Sequence, residues 1–183
     1  MTATIETLHL IPPGVAREDF LPLLLLADES EVQVRSYMQQ GGLYAFGAGP
    51  KIGDVAGVVL AIPEGDTVVE LKAVAIHPAQ QGRGIGKRMV LAVLDDLRAR
   101  GVERVTVGTG NAGIGQLAFY QRTGFRLVRI ERDFFSPERG YPEVMEENGI
   151  RLRDMVWMEQ RLGNPSERYG EAAPGSPPEN VTR

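Results

Sequence analysis

The stretch that decides the fold is His77-Pro-Ala-Gln-Gln-Gly-Arg-Gly-Ile-Gly-Lys-Arg88, which follows a predicted strand at residues 67–76 and leads into a predicted helix. The helix is predicted because apolar residues recur at four-residue spacing and so share one face: Ile85, Met89, Val93 and Leu97. The N–H groups of a first helical turn lack intrahelical partners and carry the positive end of the helix dipole. Glycines at positions 82, 84 and 86 let this backbone approach an anion without steric conflict from a Cβ atom. The stretch therefore predicts a binding site for phosphate groups.

Two common glycine-rich phosphate motifs do not fit this stretch. A dinucleotide-binding G-x-G-x-x-G motif would need a third glycine where Lys87 stands. A Walker A loop would need a serine or threonine after its lysine, but Arg88 follows Lys87, so no hydroxyl is present to bind a magnesium ion. The pattern that remains is Gln81-x-x-Gly84-x-Gly86.

The elements around this stretch predict an α/β (α+β) domain with a mixed sheet. The helix is followed by Gly101 and by a β-rich run at 104–107, so the strands on either side of it should be parallel and joined by a right-handed crossover. Short apolar runs separated by turn residues predict antiparallel hairpins elsewhere. We predict further strands at 4–11, 43–48, 55–62, 125–130 and around 154–158, and further helices at 17–27, 29–40 and 116–122.

The length of 183 residues corresponds to one domain with a short extension. We predict that residues 1–162 form the domain. Residues 163–183 contain four prolines, three glycines and a single aliphatic β-branched residue, Val181. Because such a segment buries too little apolar surface to offset the cost of ordering, we predict that it is a flexible tail.

The composition excludes several classes of protein. The chain has no cysteine and only two histidines, which argues against disulfide scaffolds, thiol nucleophiles and metal sites built from cysteine or histidine. A net charge of −4, from 20 basic and 24 acidic residues, argues against nucleic-acid binding. The longest apolar run, at residues 20–27, is too short to span a membrane, and residues 1–10 lack the pattern of a secretory signal. We therefore expect a cytoplasmic protein with no metal and no membrane or nucleic-acid partner.

Three motifs in order along the chain resemble those of the GNAT superfamily of N-acetyltransferases. Gln81-x-x-Gly84-x-Gly86, after the strand-forming run at 71–78, is similar to the superfamily's acetyl-CoA-binding motif. Thr109-Gly-Asn111 resembles the segment with the family's asparagine, and Ala118-Phe-Tyr-Gln-Arg-Thr-Gly-Phe125 resembles its helix-to-strand segment. The resemblance implies a GNAT fold, in which a mostly antiparallel sheet has one parallel pair, β4–β5, splayed around the cofactor and is flanked by helices. The residues beyond Phe125 are similar to a small bacterial branch with poorly defined substrates.

The resemblance further implies how acetyl-CoA is held as a cosubstrate. Backbone amides from Gln81 through Lys87 should bind the diphosphate, and Arg83 should reach a phosphate. The amide of Val74 should face the acetyl oxygen, and that of Ile76 should bond the pantetheine arm. The full set of cofactor-binding residues implied in this way is Val74, Ile76, Gln81, Gly82, Arg83, Gly84, Gly86, Lys87, Asn111 and Tyr120.

Asn111 should bond the pantetheine arm, although asparagine is also common as a plain turn residue. Two residues are implied as catalytic, because the acceptor ammonium must lose a proton before its nitrogen can attack, and the departing thiolate benefits from gaining a proton. Glu70 matches the superfamily's glutamate base, and strand alternation would place it on one face with Lys72 and Val74. Tyr120 matches a tyrosine that lies near the thioester sulfur and could protonate it. The alternatives are a solvated charge at the start of a strand for Glu70 and a core aromatic for Tyr120.

The acceptor is the least defined part of the prediction. We favour N-acetylation of a primary amine of a small molecule by direct attack; the alternatives are a protein N-terminus or lysine, or a non-catalytic CoA-binding regulatory module. A homodimer is possible by family habit. We expect the first two helices and the loop at 133–149 to shape the acceptor site. Acidic residues in that loop either line the entrance for a cationic acceptor or are simply solvated: Asp133, Glu138, Glu143, Glu146 and Glu147.

Overall fold

The computed structural model describes residues 6–28 and 30–163. The strands are β1 (Thr7–Ile11), β2 (Gly42–Gly47), β3 (Val55–Pro63), β4 (Val68–Ile76), β5 (Arg104–Gly110), β6 (Arg126–Glu131), β7 (Glu146–Glu147), β8 (Ile150–Arg151) and β9 (Met155–Arg161). The helices are α1 (Val15–Glu18), α2 (Leu21–Leu24), α3 (Glu31–Tyr37), α4 (Ile85–Ala99) and α5 (Ile114–Arg122). Residues 164–183, and with them nearly all of the predicted tail, lie outside the described part of the chain.

The predicted mixed sheet is confirmed. Seven strands lie in the order β1-β2-β3-β4-β5-β9-β6, and β7 pairs with β8 in a separate hairpin. Residues 68–70 of β4 pair in parallel with residues 104–106 of β5, whereas the neighbouring pairs in this sheet are antiparallel. The helix α4 connects the two parallel strands, as the apolar spacing in the sequence predicted.

Helices cover both faces of the sheet. The face with α4 and α5 buries an apolar cluster in which Met89, Val90 and Val93 are fully buried. The other face packs against α1, α2 and α3, where Leu24 and Val34 are fully buried. Each helix of the part at 6–28 and 30–163 is too short or too polar to cross a membrane.

The predicted helix at 17–27 is instead two short helices. α1 ends at Glu18, and α2 begins at Leu21 with Pro22 in its first turn. Because proline lacks an N–H donor and crowds the preceding turn, it is accommodated at the start of a new helix but not inside a longer one. The next helix begins after Ser30, whose side chain accepts a hydrogen bond from the Gln33 N–H, and it ends earlier than predicted, at Tyr37.

A buried arginine ties the short helices to the sheet. Arg17 is only 1% exposed, and its guanidinium donates hydrogen bonds to backbone carbonyls at the end of β1, after α3 and before β2: Ile11, Met38, Gln40 and Gly41. Burial lowers the pKa of Arg17 from its usual value. An arginine nevertheless stays charged, and here its donors satisfy carbonyls that would otherwise be buried without partners. Arg17 therefore fixes the position of α3.

A β-bulge in β4 corrects one sequence prediction. Leu60 of β3 lies opposite Ala73, but Ala61 lies opposite Leu71, so Lys72 is an extra residue in the ladder. The extra residue reverses the alternation of side chains: Leu71 and Val74 contribute to the cluster under α4, whereas Ala73 packs on the α3 side. The prediction that Val74 shares a face with Glu70 and Lys72 is therefore wrong, because a bulge shifts the two-residue period by one.

Candidate acetyl-transfer site

The predicted phosphate site has the backbone geometry of an anion cradle. Gly82 and Gly84 have φ angles of 73° and 72°, a left-handed conformation that is strained for residues with a Cβ atom. Gly84 precedes α4 without a side-chain cap, and the first helical bond runs from the Arg88 N–H to the Gly84 carbonyl. The amides of the first turn thus have no intrahelical partner and point out of the helix end, as an anion requires.

A cleft of about 320 Å³ opens beside this turn. Its walls come from the end of β4, the turn and first residues of α4, and the last part of α5: Ile76, Gln80, Gln81, Gly82, Gly84, Ile85, Gly86, Lys87, Phe119, Arg122 and Thr123. The structure thereby brings the predicted residues Gln81 and Lys87 together with Arg122, which the sequence analysis missed. Arg122 lies within the quoted segment at 118–125, but the sequence analysis assigned it no role there, and the packing of α5 beside α4 brings it to the cleft.

Side-chain hydrogen bonds and an ion pair stabilise the turn at 77–88. The Gln81 Nε2 donates to the Ile76 carbonyl at 3.2 Å, and the His77 Nδ1 accepts from the Ala79 N–H at 3.3 Å. On the outer surface, Arg88 donates to the Arg83 carbonyl and forms an ion pair with Glu6 at 2.6 Å. These contacts hold the turn in place while leaving the start of α4 free of a side-chain cap.

A gap between β4 and β5 continues from this cleft. The parallel pairing stops after Glu70 and Thr106, although both strands extend further. The His77 N–H donates to the Ala56 carbonyl in β3, and alternate residues of a strand direct their N–H groups to opposite sides. The N–H groups of Val74 and Ile76 therefore point away from β3 and into the gap. We call this cleft, the turn at 77–88 and the gap the donor side of the site.

Tyr120 lies in an apolar environment beside the donor side. The residue is 7% exposed, and its ring makes edge contacts with the rings of Phe119 and Phe125. Burial raises the pKa of Tyr120 above its usual value of 10.0, so the hydroxyl keeps its proton across the physiological range. Chemically, this hydroxyl is a proton donor rather than a base.

The side chain of Asn111 has partners of its own in the structure. Its Oδ1 accepts from the N–H groups of Arg153 and Asp154, both at 2.9 Å, and its Nδ2 donates to the Arg151 carbonyl. Asn111 thus ties the end of β5 to the chain that leads into β9. Contact between Asn111 and a pantetheine arm stays a prediction. The second N–H of the Asn111 Nδ2 would be the donor for such a contact.

Glu70 faces the opposite side of the sheet from the α4 cluster. Its side chain is 13% exposed, and its Oε1 lies 3.3 Å from the Lys72 Nζ. The Lys72 Nζ in turn lies 5.6 Å from the centroid of the Tyr37 ring in α3. The Glu70 carboxylate is therefore mostly buried beside the point where β4 and β5 separate.

Tyr37 connects several elements that surround Glu70. Its hydroxyl donates to the Asp28 Oδ2 at 3.2 Å. Burial, and then the charge of Asp28 and this hydrogen bond, raise the pKa of Tyr37, with smaller contributions from Tyr141 and Glu70. Tyr141 and Glu70 therefore both lie within electrostatic reach of the Tyr37 ring.

The segment at 132–154 completes this side with an aromatic cluster. The ring centroids of Phe135 lie 5.1 Å from Phe134 and 5.0 Å from Tyr141, and the Arg139 guanidinium stacks over Phe134 at 4.5 Å. The segment approaches α3 through a long hydrogen bond from the Gln33 Nε2 to the Arg139 carbonyl. We call Glu70, Lys72, the α1–α3 region and this segment the acceptor side.

The acidic residues of the 132–154 segment are mostly solvated. Asp133, Glu138, Glu143 and Glu146 are exposed, and Glu147 is half-buried in the β7–β8 hairpin. Tyr37, which the sequence analysis did not single out, lies within electrostatic reach of Glu70 and bonds Asp28. Among the described residues, no three His, Asp or Glu side chains come together as metal ligands would.

Comparison with known proteins agrees with this geometry. Residues 16–125 match the model of the Acetyltransferase (GNAT) family, which is more than half of the chain. The chain is 38% identical over 139 residues to the uncharacterized N-acetyltransferase YvbK of Bacillus subtilis (strain 168), covering 76% of this chain and 86% of that protein.

Two solved structures are similar over most of their length and were determined with a cofactor. A Bacillus subtilis acetyltransferase in complex with CoA superposes with a TM-score of 0.75 at 34% identity, covering 86% of this chain and 99% of that one. A GNAT family acetyltransferase from Elizabethkingia anophelis with acetyl-CoA bound has a TM-score of 0.76 at 30% identity, covering 87% and 99%. The free amides and the open cleft on the donor side fit such a ligand.

Proposed function

Since the chain belongs to the GNAT family of acetyl-CoA-dependent N-acetyltransferases, we propose that it transfers the acetyl group to a primary amine of a small molecule by direct attack. The choice of a small acceptor rests on the approach of the 132–154 segment to α3: Gln33 bonds the Arg139 carbonyl, and Tyr141 lies within electrostatic reach of Tyr37, as Glu70 does. A segment in that position narrows the acceptor side. A narrow site favours a small molecule over a folded protein surface.

The donor side supplies the proposed cofactor contacts. The diphosphate binds the amides of the turn and first helical residues, and the charges of Lys87 and Arg122 line the cleft around it. Arg83, which lies outside the cleft lining and whose guanidinium donates to the Gln80 Oε1, would have to leave Gln80 to reach a phosphate. The Ile76 amide bonds the pantetheine arm in the gap. The Val74 amide donates to the acetyl oxygen, where negative charge develops during attack. Both proposals rest on the direction of these N–H groups away from β3.

The acceptor side supplies the proposed base. Glu70 removes a proton from the acceptor ammonium, directly or through a water molecule, because only a neutral amine is a nucleophile. The amine nitrogen then forms a bond to the acetyl carbon while the carbon–sulfur bond breaks. Tyr120 gives its hydroxyl proton to the departing thiolate, and the nitrogen releases its second proton, which restores the Tyr120 hydroxyl through solvent. Burial raises the pKa of Tyr120, so its hydroxyl still carries the proton at neutral pH. The presence of both Glu70 and Tyr120 favours a working enzyme over a regulatory module, which needs neither group.

Detection of free CoA with a panel of acceptors tests this proposal. Small primary amines are expected to release CoA, and peptides with free N-termini or lysines are expected to release much less. Turnover of peptides but not of small amines would indicate a protein acceptor instead of a small molecule. Tight acetyl-CoA binding without turnover of any acceptor would identify a regulatory module instead.

A further inference from the structure

The Glu70–Lys72 pair presents one negative and one positive charge side by side on the acceptor side. The Glu70 Oε1 and the Lys72 Nζ are 3.3 Å apart, and the Lys72 side chain is 33% exposed. Glu70 and Lys72 share a face, as the sequence alternation predicts, and the bulge at Lys72 turns Val74 to the opposite face. A site intended only for a cationic amine would not gain from an ammonium group in this position, since like charges repel.

The Lys72 ammonium has donors available for a ligand. It carries three N–H donors, and within residues 6–28 and 30–163 its hydrogen-bond partner is Glu70. The ammonium also lies over the Tyr37 ring, which attracts a cation and holds the side chain toward α3. The pair is therefore oriented by its surroundings rather than directed freely into solvent.

The spacing of the pair matches the head group of an amino acid. In a free α-amino acid the ammonium nitrogen and a carboxylate oxygen are roughly 3 Å apart by standard covalent geometry. Resting on the proposed function, we infer that the acceptor is an α-amino acid whose ammonium faces Glu70 and whose carboxylate binds Lys72. The two charge pairs then lie head to tail, and the ammonium that loses its proton is already placed at the base.

The aromatic cluster defines the side chain of this amino acid. Phe134, Phe135 and Tyr141 are half-buried and in mutual contact. An atom of the Phe135 ring lies 3.6 Å from the point that a Cβ atom on Gly110 would occupy, at the end of β5 that borders the gap. An apolar cluster of inclined rings of this kind favours an aromatic side chain, because aromatic rings pack in edge and offset contacts. The inferred acceptor class is therefore the aromatic α-amino acids.

Matched acceptors with and without a carboxylate test this inference. We compare L-tryptophan with tryptamine and L-phenylalanine with phenethylamine, measuring kcat and KM from CoA release. For the wild-type protein we expect kcat/KM to be at least about tenfold higher for each amino acid than for its amine, as expected for a charge-assisted contact. Equal or better use of the amines would overturn the inference while leaving the acetyltransferase assignment intact.

Variants of Lys72 show whether this residue reads the carboxylate. Lys72→Met keeps the aliphatic stem and removes the charge, so we expect the preference for amino acids to disappear, mainly through a higher KM. Lys72→Arg should retain the preference, and Lys51→Met, at an exposed position between β2 and β3, should leave all four acceptors unchanged. Isothermal titration with acetyl-CoA checks that each variant keeps a folded donor side.

The remaining outcomes are also distinguishable. An equal loss of kcat/KM for amino acids and amines in Lys72→Met would overturn the carboxylate contact, because it would show that Lys72 acts only through Glu70. Turnover of other amines but of none of the four probes would overturn the acceptor class alone. Failure of every amine and peptide, with acetyl-CoA still bound, would overturn the proposed function itself.

Discussion

The donor side and the acceptor side of the site are built in different ways. The donor side comes mainly from one continuous stretch, β4 through the start of α4, and it presents backbone amides. The acceptor side is assembled from side chains of α3, β4 and the 132–154 segment, which are far apart in sequence. Backbone groups suit a ligand that does not change, whereas side chains can be replaced to suit different acceptors. The two sides should therefore respond differently to substitution.

Glu70→Gln tests the acceptor side with the largest expected effect. We expect kcat/KM to fall by about 100- to 1000-fold near neutral pH, in the range typical of general base catalysis. The deficit should shrink as pH rises, because the acceptor amine then loses its proton without help. Rates measured across the pH range check this, with Glu103→Gln, at an exposed position before β5, as the control. A deficit of constant size at all pH values would contradict the base role.

Arg17→Met should lower the stability of the protein and weaken acceptor binding without weakening acetyl-CoA binding. Removal of the guanidinium leaves the buried carbonyls of Ile11 and Met38 without this donor, so we expect the free energy of unfolding to fall by about 3 kcal/mol. Urea unfolding measures this loss, and the exposed Arg35→Met should show a much smaller one. Because Arg17 positions α3, the acceptor KM should rise while the acetyl-CoA Kd stays the same. A parallel loss of acetyl-CoA affinity would show that the two sides are not independent.

Tyr120→Phe should affect chemistry on the donor side without affecting binding. The variant loses only a hydroxyl in an apolar environment, so we expect kcat to fall by about 10- to 100-fold with little change in the acetyl-CoA Kd. Steady-state kinetics measures kcat, and calorimetry measures the acetyl-CoA Kd. Tyr44→Phe is the matched control, since that hydroxyl bonds Asp96 at 2.8 Å on α4, away from the cleft. Equal losses of kcat and affinity would remove the proton-donor role.

The raised pKa of Tyr120 also gives a pH prediction. A phenol with its ordinary pKa of 10.0 would lose its proton near that pH, and a proton donor would then fail. Because burial raises the pKa, the protonated form persists to higher pH, so we expect no fall in kcat as the pH passes through 10 in a protein that stays folded. Circular dichroism at each pH verifies the fold, and a decline centred near 10 would point to an unperturbed tyrosine.

Among the variants, Gly84→Val should have the smallest effect, and that effect is limited to acetyl-CoA binding on the donor side. A β-branched residue at a φ of 72° is strained by about 1–3 kcal/mol, so the turn should shift and the acetyl-CoA Kd should rise by about tenfold. Gly65→Val, in open space before β4 without a left-handed φ, should leave the Kd unchanged. Calorimetry with acetyl-CoA distinguishes them, and equal affinity in both variants would argue against an anion site at this turn.

The elements of the donor side were predictable for specific reasons. Apolar residues of α4 repeat at helical spacing, and glycines at 82 and 84 mark a left-handed turn before it. The break of the helix at 17–27 was less visible, because proline is allowed in the first turn of a helix and so signals either a start or an interruption. Arg122 was missed because nothing local distinguishes a cleft arginine from a solvated one.

Taken alone, the amino-acid order predicted which strands run parallel and where unpaired amides begin a helix, because both depend on local periodicity and on glycines at fixed spacing. Only the folded chain decided that Val74 lies on the opposite face from Glu70 and Lys72 and that the Tyr37 ring lies beside Lys72. The reason is that a single extra residue in β4 reverses the side-chain alternation, and such a bulge arises from pairing with a neighbouring strand rather than from any local pattern.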